Sequence, residues 1–402
     1  MSSELKEKIH YSVGDVLEVD VQKIVPGGSG LAFAENLTVF VPLSAPGDRV
    51  RVRIHQLKGK TAFTEIEEIV DASPLRIDPP CPYFGACGGC NFQQLGYRSQ
   101  LEAKAAIIRD CLHRIGKIDL DGDIPMIGSP KDFEYRLRAQ WHLDTRERTI
   151  GYYRRNTHEV IDIARCPKLM PPLNDALENL RASVAWENLW SPRVEVEAAC
   201  GDDGSVSKYS SEILDPTDEI SIDAYGERYT FSSQSFFQGN RHMIEPLVDV
   251  AVKDTAGRTA LDLFCGVGLF SLPLARKFEK VIGVESNDLA IEFAEKNAAN
   301  AGLSNIEFIS EGVEKFIKER EAADVDLVLL DPPRAGTSKE TIVRILGLQS
   351  KVISYVSCDP SILARDLRWM LDRGYAIDSI TGLDLFPQTH HVETVVRLSL
   401  LG

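Results

Sequence analysis

A chain of 402 residues exceeds what one ordinary hydrophobic core serves and points to two or three domains. Apolar residues make up 44% and charged residues 26%, a globular balance; no run approaches the ~20 apolar residues of a membrane span, and MSSELKEKIHYS lacks the apolar stretch of a secretory signal, so a cytoplasmic protein is expected. The formal net charge of -15 excludes a uniformly basic surface, so any contact with nucleic acid has to rest on local clusters: Arg49, Arg51, Arg53, Lys58 and Lys60, or Arg136, Arg138, Arg146, Arg148, Arg154 and Arg155.

Residues 12–70 alternate with period two between Gly/Pro turns, which predicts a small antiparallel β-barrel in a first domain over 1–74. The runs GDVLEVDVQKIVPGGSGLAF and FVPLSAPGDRVRVRI and the closing SPLR resemble the TRAM domain, an oligonucleotide-binding-like barrel found on RNA-modifying enzymes. A cysteine-dense run follows at 81–90. Residues 99–116 have apolar spacing near 3.6 and predict a helix stopped by Gly116 and packed on the catalytic domain. Residues 131–230 alternate again, with turns at DDG and DP, and complete a β-rich central domain over 75–230. From 231 to 402 short β-type runs (TALDLFCG, KVIGVES, IEFIS, VDLVLLDPP, KVISYVSCDP, VETVVRLSL) alternate with helical stretches such as LAIEFAEKNAANAG. That grain predicts a doubly wound α/β sheet. Of the eight cysteines, Cys111, Cys200 and Cys265 read as buried or incidental thiols, and no disulfides are expected.

The run TALDLFCGVGLFSLPLARKF places Asp262, Gly266 and Gly268 in a strand-to-helix turn, where glycines let a ligand approach the backbone. The third glycine of the dinucleotide fingerprint is absent. Glu285 ends the next strand, where a carboxylate can accept both hydroxyls of a ribose, in an NAD or an S-adenosylmethionine enzyme alike. The Asp331-Pro332-Pro333-Arg334 run, with no sign of a hydride-transfer site, favours the latter. Cys358 closes the run YVSCDP just before a helix whose N-terminus would lower its pKa, although a small buried apolar residue is the commoner fate of a free cysteine. Glu393 precedes an apolar strand, as an exposed carboxylate available as a base. Carbon 5 of uracil needs this pair. A thiolate adding at carbon 6 makes an enolate that can take a methyl group at carbon 5, and a base then removes the carbon-5 proton so that the sulfur is expelled.

Gln238 in SFFQGN, the DLFCGVG loop, Glu285, DPPR, SCDP and FPQTHHVE occur in order, and as a set they resemble the RNA 5-methyluridine methyltransferase family. The resemblance covers nearly the whole chain. It implies Cys358 as nucleophile and Glu393 as base, with Gln238, Phe264, Gly266, Gly268, Glu285 and Asp331 around S-adenosylmethionine and the target base. Two positions depart from the pattern: Leu269 stands where an Asn is frequent, and Leu137 replaces the Asn of a Tyr-Arg-Asn run. Members with a barrel and a cysteine cluster act on ribosomal RNA or, in archaea, on transfer RNA; 23S ribosomal RNA is the expected substrate and a monomer the expected state.

Cys81, Cys87 and Cys90 need a fourth ligand, and Cys166, followed by proline, is the best candidate. Spacing alone leaves an iron–sulfur cluster and zinc both open. The resemblance implies a 4Fe-4S cluster in a structural role. An amino-group methyltransferase would follow DPP with an aromatic residue and need no cysteine. A DNA cytosine methyltransferase would carry its cysteine after a proline, and a non-catalytic RNA-binding protein would need neither Cys358 nor Glu393.

Overall fold

The computed structural model describes residues 10–213, 218–318 and 325–401. Most of the MSSELKEKIHYS segment and the Asp215-Pro216 turn lie outside the described residues. Among the described residues no helix is long and apolar enough to cross a membrane.

The first lobe is a six-stranded sheet curled around its own core, built from Val16–Asp20, Lys23–Ile24, Gly30–Ala34, Leu37–Val41, Arg49–Lys58 and Thr61–Asp71. Its pairs are antiparallel except one: Leu37–Val41 runs parallel to the start of Thr61–Asp71, with Phe40 beside Phe63. The strand Arg49–Lys58 shows why the chain folds this way. Val50, Val52 and Ile54 are fully buried, and the arginines between them face outward. Those arginines are not free for phosphate. Arg49, Arg51 and Arg53 pair with Glu18, Glu68 and Glu67 on neighbouring strands, so this face is neutralised. Asp48, fully buried, ties the SPLR segment to the barrel by accepting from the Ser73 amide and the Arg76 guanidinium.

The central lobe is a five-stranded antiparallel sheet, Arg138–Asp144 flanked by Thr149–Tyr153 and Arg193–Cys200, with Val160–Asp162 and Val206–Tyr209 outermost. Helix Pro171–Ser183 covers it, burying Leu173, Leu177 and Leu180 with Trp141, Val194 and Val196.

The catalytic sheet has eight strands in the spatial order Ile306–Ser310, Phe278–Glu285, Gly257–Leu263, Leu327–Leu330, Val352–Ser357, Glu393–Leu400, Tyr375–Leu383, Met126–Ile127. The first five are parallel, and Glu393–Leu400 inserts antiparallel between its neighbours. The order reverses at Gly257–Leu263, which puts a ligand crevice at the carboxyl ends of the central strands.

Residues 97–127 belong structurally to this catalytic body. Helix Tyr97–Cys111 buries Ile107, Ile108 and Cys111 in the same core as Leu363, Leu367 and Ile380, and Met126–Ile127 extends the sheet edge. The helix does not stop at Gly116 by a glycine turn. A widened turn over Leu112–Gly116 carries it on, and Lys117 takes the left-handed conformation. Gly116 serves packing instead, since a Cβ there would lie 2.9 Å from the Ala364 carbonyl oxygen.

Candidate active site

Strand register brings the two predicted reacting residues together. Ser357 pairs with Thr394 across antiparallel strands, so Cys358 and Glu393 are the next opposed pair at the crevice end. Both line a cleft of about 630 Å³ with Gln238, Phe264, Gly266, Glu285 and Asp331. Gly268 does not reach that cleft. It is buried behind it, at φ +89°, and a Cβ would press on Leu272 at 3.0 Å, so its role is to shape the turn.

The electrostatics differ from the sequence expectation at both reacting residues. The Cys358 thiol is pushed up to about 12, by burial first and then by the Glu393 carboxylate, with Arg334 opposing. The helix Pro360–Leu371 does not compensate, because its free N–H groups are already used: the Asp359 carboxylate accepts from Ser361 and Ile362 and adds another negative charge beside the thiol. Glu393 is not exposed. It is 3% accessible, its Oε1 has no hydrogen-bond partner, and burial together with Asp331 pushes its carboxyl well above the usual range. Asp331 is raised to about 7 by burial and by Asp262. Burial thus raises both members of the pair, and Arg334 is the nearby cation that opposes the shift at each.

The cofactor half of the cleft is preorganised. Glu285 Oε1 accepts from the Ser286 and Asn287 amides and Oε2 from the Gly266 amide, which aims the carboxylate across the turn. Phe264 stands at φ +68°, a conformation rare for a side chain of that size, held by its own and the Cys265 amide donating to the Val284 carbonyl. Gln238 donates to Asp331 at 3.3 Å. Leu269 is buried, and its carbonyl accepts from the Tyr229 hydroxyl. The residues fit an adenosylmethionine: a carboxylate set for ribose hydroxyls, a backbone turn open to a ligand at Gly266, and an apolar wall from Phe264 and Pro332.

Three cleft features were not read from sequence. Phe236 is 66% exposed at the cleft, an aromatic face unused by the protein; its signal was the doubled phenylalanine before Gln238. Arg138, grouped with an RNA-facing basic cluster, is instead half-buried and donates to the carbonyls of Ser233 and Ser235, clamping the segment that carries Phe236 and Gln238. Arg334 extends over the Phe386 ring, 5.7 Å from its centroid, and lines the cleft. Elsewhere in that arginine cluster, Arg154 pairs with Glu159 and Arg155 donates to the Gly85 carbonyl, while Arg146 and Arg148 are exposed in a hairpin turn.

None of the eight cysteines is joined in a disulfide, and Cys111, Cys200 and Cys265 are buried as expected. Cys81, Cys87, Cys90 and Cys166 surround one separate cavity of about 230 Å³. Among the described residues no three His, Cys, Asp or Glu side chains converge closely enough to hold a single metal ion.

Known proteins resemble the chain over nearly its whole length. Residues 214–400 match the family described as tRNA (Uracil-5-)-methyltransferase, and residues 12–66 match the TRAM domain. The chain is 30% identical to the 23S rRNA (uracil(1939)-C(5))-methyltransferase of Vibrio parahaemolyticus, covering 94% of each chain. It is 31% identical to an uncharacterized RNA methyltransferase of Aquifex aeolicus, over 96% of this chain and 98% of that one. Among solved structures, the Pyrococcus abyssi tRNA (uracil-54, C5)-methyltransferase in complex with S-adenosyl-L-homocysteine superposes with a TM-score of 0.74 at 28% identity, covering 95% of this chain and all of that one.

Proposed function

Since the chain belongs to the RNA uracil-C5 methyltransferase family, whose members use S-adenosylmethionine, we propose that it methylates carbon 5 of one uridine in 23S ribosomal RNA through a covalent bond from Cys358 to carbon 6. The observation that carries the reading is the Cys358–Glu393 pair, opposed across two strands at the floor of a cleft that also holds the Glu285 carboxylate.

The steps follow from the residues. Phe236 stacks on the extruded base, the ordinary way a protein holds a splayed nucleotide. The Cys358 thiol gives its proton to solvent, the thiolate bonds to carbon 6, and the ring electrons move to the carbonyl oxygen as an enolate. Arg334 offers its positive charge to the thiolate and the enolate. Bound S-adenosylmethionine supplies an electrophilic methyl group, and Glu285 holds its ribose. With the methyl group on carbon 5, Glu393 takes the carbon-5 proton, the carbon 5–carbon 6 double bond reforms, and Cys358 leaves as thiolate.

The ribosomal substrate is supported by the extent of the match to the Vibrio enzyme; transfer RNA is the alternative. Ribosomal and transfer RNA from a strain lacking the enzyme, offered with radiolabelled S-adenosylmethionine, decide between them. Label is expected in 23S RNA at a single uridine. Label confined to transfer RNA would overturn the substrate and leave the chemistry standing.

Cys81, Cys87, Cys90 and Cys166 are the proposed ligands of a 4Fe-4S cluster. The reading rests on the four cysteines lining one cavity and on the resemblance of their pattern to the family's cluster motif; four thiolates also suit a single zinc, which is the alternative. Such a cluster cross-links the cysteine loop to the central lobe and takes no part in methyl transfer. Protein purified without oxygen should be brown, with broad visible absorption and about four irons per chain; colourless protein with one zinc per chain would reject the assignment.

A further inference from the structure

The hairpin loop between strands Tyr375–Leu383 and Glu393–Leu400 carries Phe386 into the cleft and ends on the base. It is held from outside its own domain. The Gln388 backbone is in the left-handed region at φ +69°, and its carbonyl accepts from the amides of Asn91 and Phe92, the two residues after Cys90. The Asn91 side chain completes the attachment. Its Oδ1 accepts from the His390 amide at 2.9 Å, and its Nδ2 lies 2.8 Å from His390 Nδ1. The barrel closes over this joint: Gly28 stands at φ +79°, and a Cβ there would sit 2.6 Å from Asn91 Nδ2 and 2.7 Å from His390 Cβ. Space for the contact exists only because residue 28 has no side chain.

The geometry points to Asn91 as a positioning residue for the general base: through His390 and Gln388, the cysteine loop fixes the segment that aims Glu393 at carbon 5. Cys358 stands on a different strand, seated between the parallel ladder with Leu327–Leu330 and the Ser357–Thr394 pair, and the Asn91 contacts at Gln388 and His390, close in sequence to Glu393, touch neither ladder. Loosening the Asn91 joint therefore slows proton removal without slowing thiol attack. The inference rests on the covalent reading above, and the two fail differently.

The test uses full-length protein with a 23S RNA transcript and the same transcript containing 5-fluorouridine. Fluorine at carbon 5 cannot leave as a proton, so the fluorinated RNA traps the methylated adduct without any demand on the base. Asn91→Ala should bind S-adenosylhomocysteine as wild type does and trap the fluorinated RNA at the wild-type rate. Its turnover of ordinary RNA should fall on the order of 10²-fold, the effect of a small misplacement of a reacting group. It should also accumulate a covalent protein–RNA adduct with ordinary RNA, visible on a denaturing gel. Asn91→Asp, which keeps an acceptor for the His390 amide, should recover part of the turnover; if Asn91→Ala proves too unstable to bind S-adenosylhomocysteine, Asn91→Ser carries the same comparison. Unchanged turnover, or trapping that slows in step with turnover, overturns the inference. Failure of wild type to trap fluorinated RNA would instead remove the covalent reading, and the inference with it.

Discussion

Alanine in place of Cys358 is expected to abolish methyl transfer to the limit of detection, a loss of about 10⁴-fold or more for a residue whose bond to substrate is the reaction path. The variant should form no adduct with 5-fluorouridine RNA; an adduct formed by Cys358→Ala would assign the nucleophile elsewhere. Glu393→Gln should separate the two half-reactions, with turnover down by about 10²–10⁴-fold, the usual contribution of a general base, while covalent adduct builds up on ordinary RNA. The pH dependence follows from the resting protonation states. Burial and the neighbouring carboxylate push the thiol up to about 12, and burial pushes the Glu393 carboxyl well above its ordinary range. The competent form needs both groups deprotonated, and raised pKa values mean that protons are lost only as pH rises. The free-enzyme rate constant kcat/KM should therefore climb through neutrality, by about tenfold per pH unit where one proton limits. A plateau already reached at pH 6 would show that the thiolate is present at rest.

Loss of the Lys104 ammonium should produce a large stability defect in the catalytic body. Lys104, on the helix Tyr97–Cys111, and Asp384, in the base-bearing loop, form an ion pair with both side chains fully buried. Lys104 also donates to the Phe386 carbonyl. Burial pulls the lysine pKa down and Asp384 opposes it, so the pair holds together as a unit. Removing one partner strands the other charge in an apolar core, at a cost of about 3–5 kcal/mol. Lys104→Met should thus lower the denaturant midpoint of the catalytic body sharply, and the double variant Lys104→Met with Asp384→Asn should regain much of the loss. A single variant that unfolds where wild type does would show that the pair contributes nothing net.

The positions of Cys358, Glu393, Glu285 and Asp331 are legible in sequence because each abuts a short apolar run, and strand ends in an α/β sheet are where ligands bind. The protonation of Cys358, Glu393 and Asp331 is not legible. The direction of the Cys358 shift depends first on its burial, then on the Glu393 strand lying alongside and on Asp359 taking the helix donors, all facts of the folded chain. Arginine clusters mislead for a similar reason. Arg49, Arg51 and Arg53 look like a phosphate track until the neighbouring strands bring up Glu18, Glu67 and Glu68, and Arg138 looks exposed until the Ser233–Ser235 carbonyls close on it. Glycines carry two meanings that spacing cannot separate: Gly266 opens a ligand path, whereas Gly116 and Gly268 make room for neighbouring protein atoms.

The clamps on the base-bearing loop span very long stretches of chain: Tyr135 to Pro387 across 252 positions, Gln100 to Gln388 across 288, Asn91 to His390 across 299. Contacts of such separation return nothing during early folding, because the entropy of closing the loop comes due before they form. The pairing of Val352–Ser357 with Leu327–Leu330 joins strands about 25 positions apart through a single helix and has little such delay. Glu393 itself comes from a local hairpin, ten positions from its partner Leu383, so the strands carrying Cys358 and Glu393 can pair before the loop between Leu383 and Glu393 is clamped, and the clamps are among the last contacts to form.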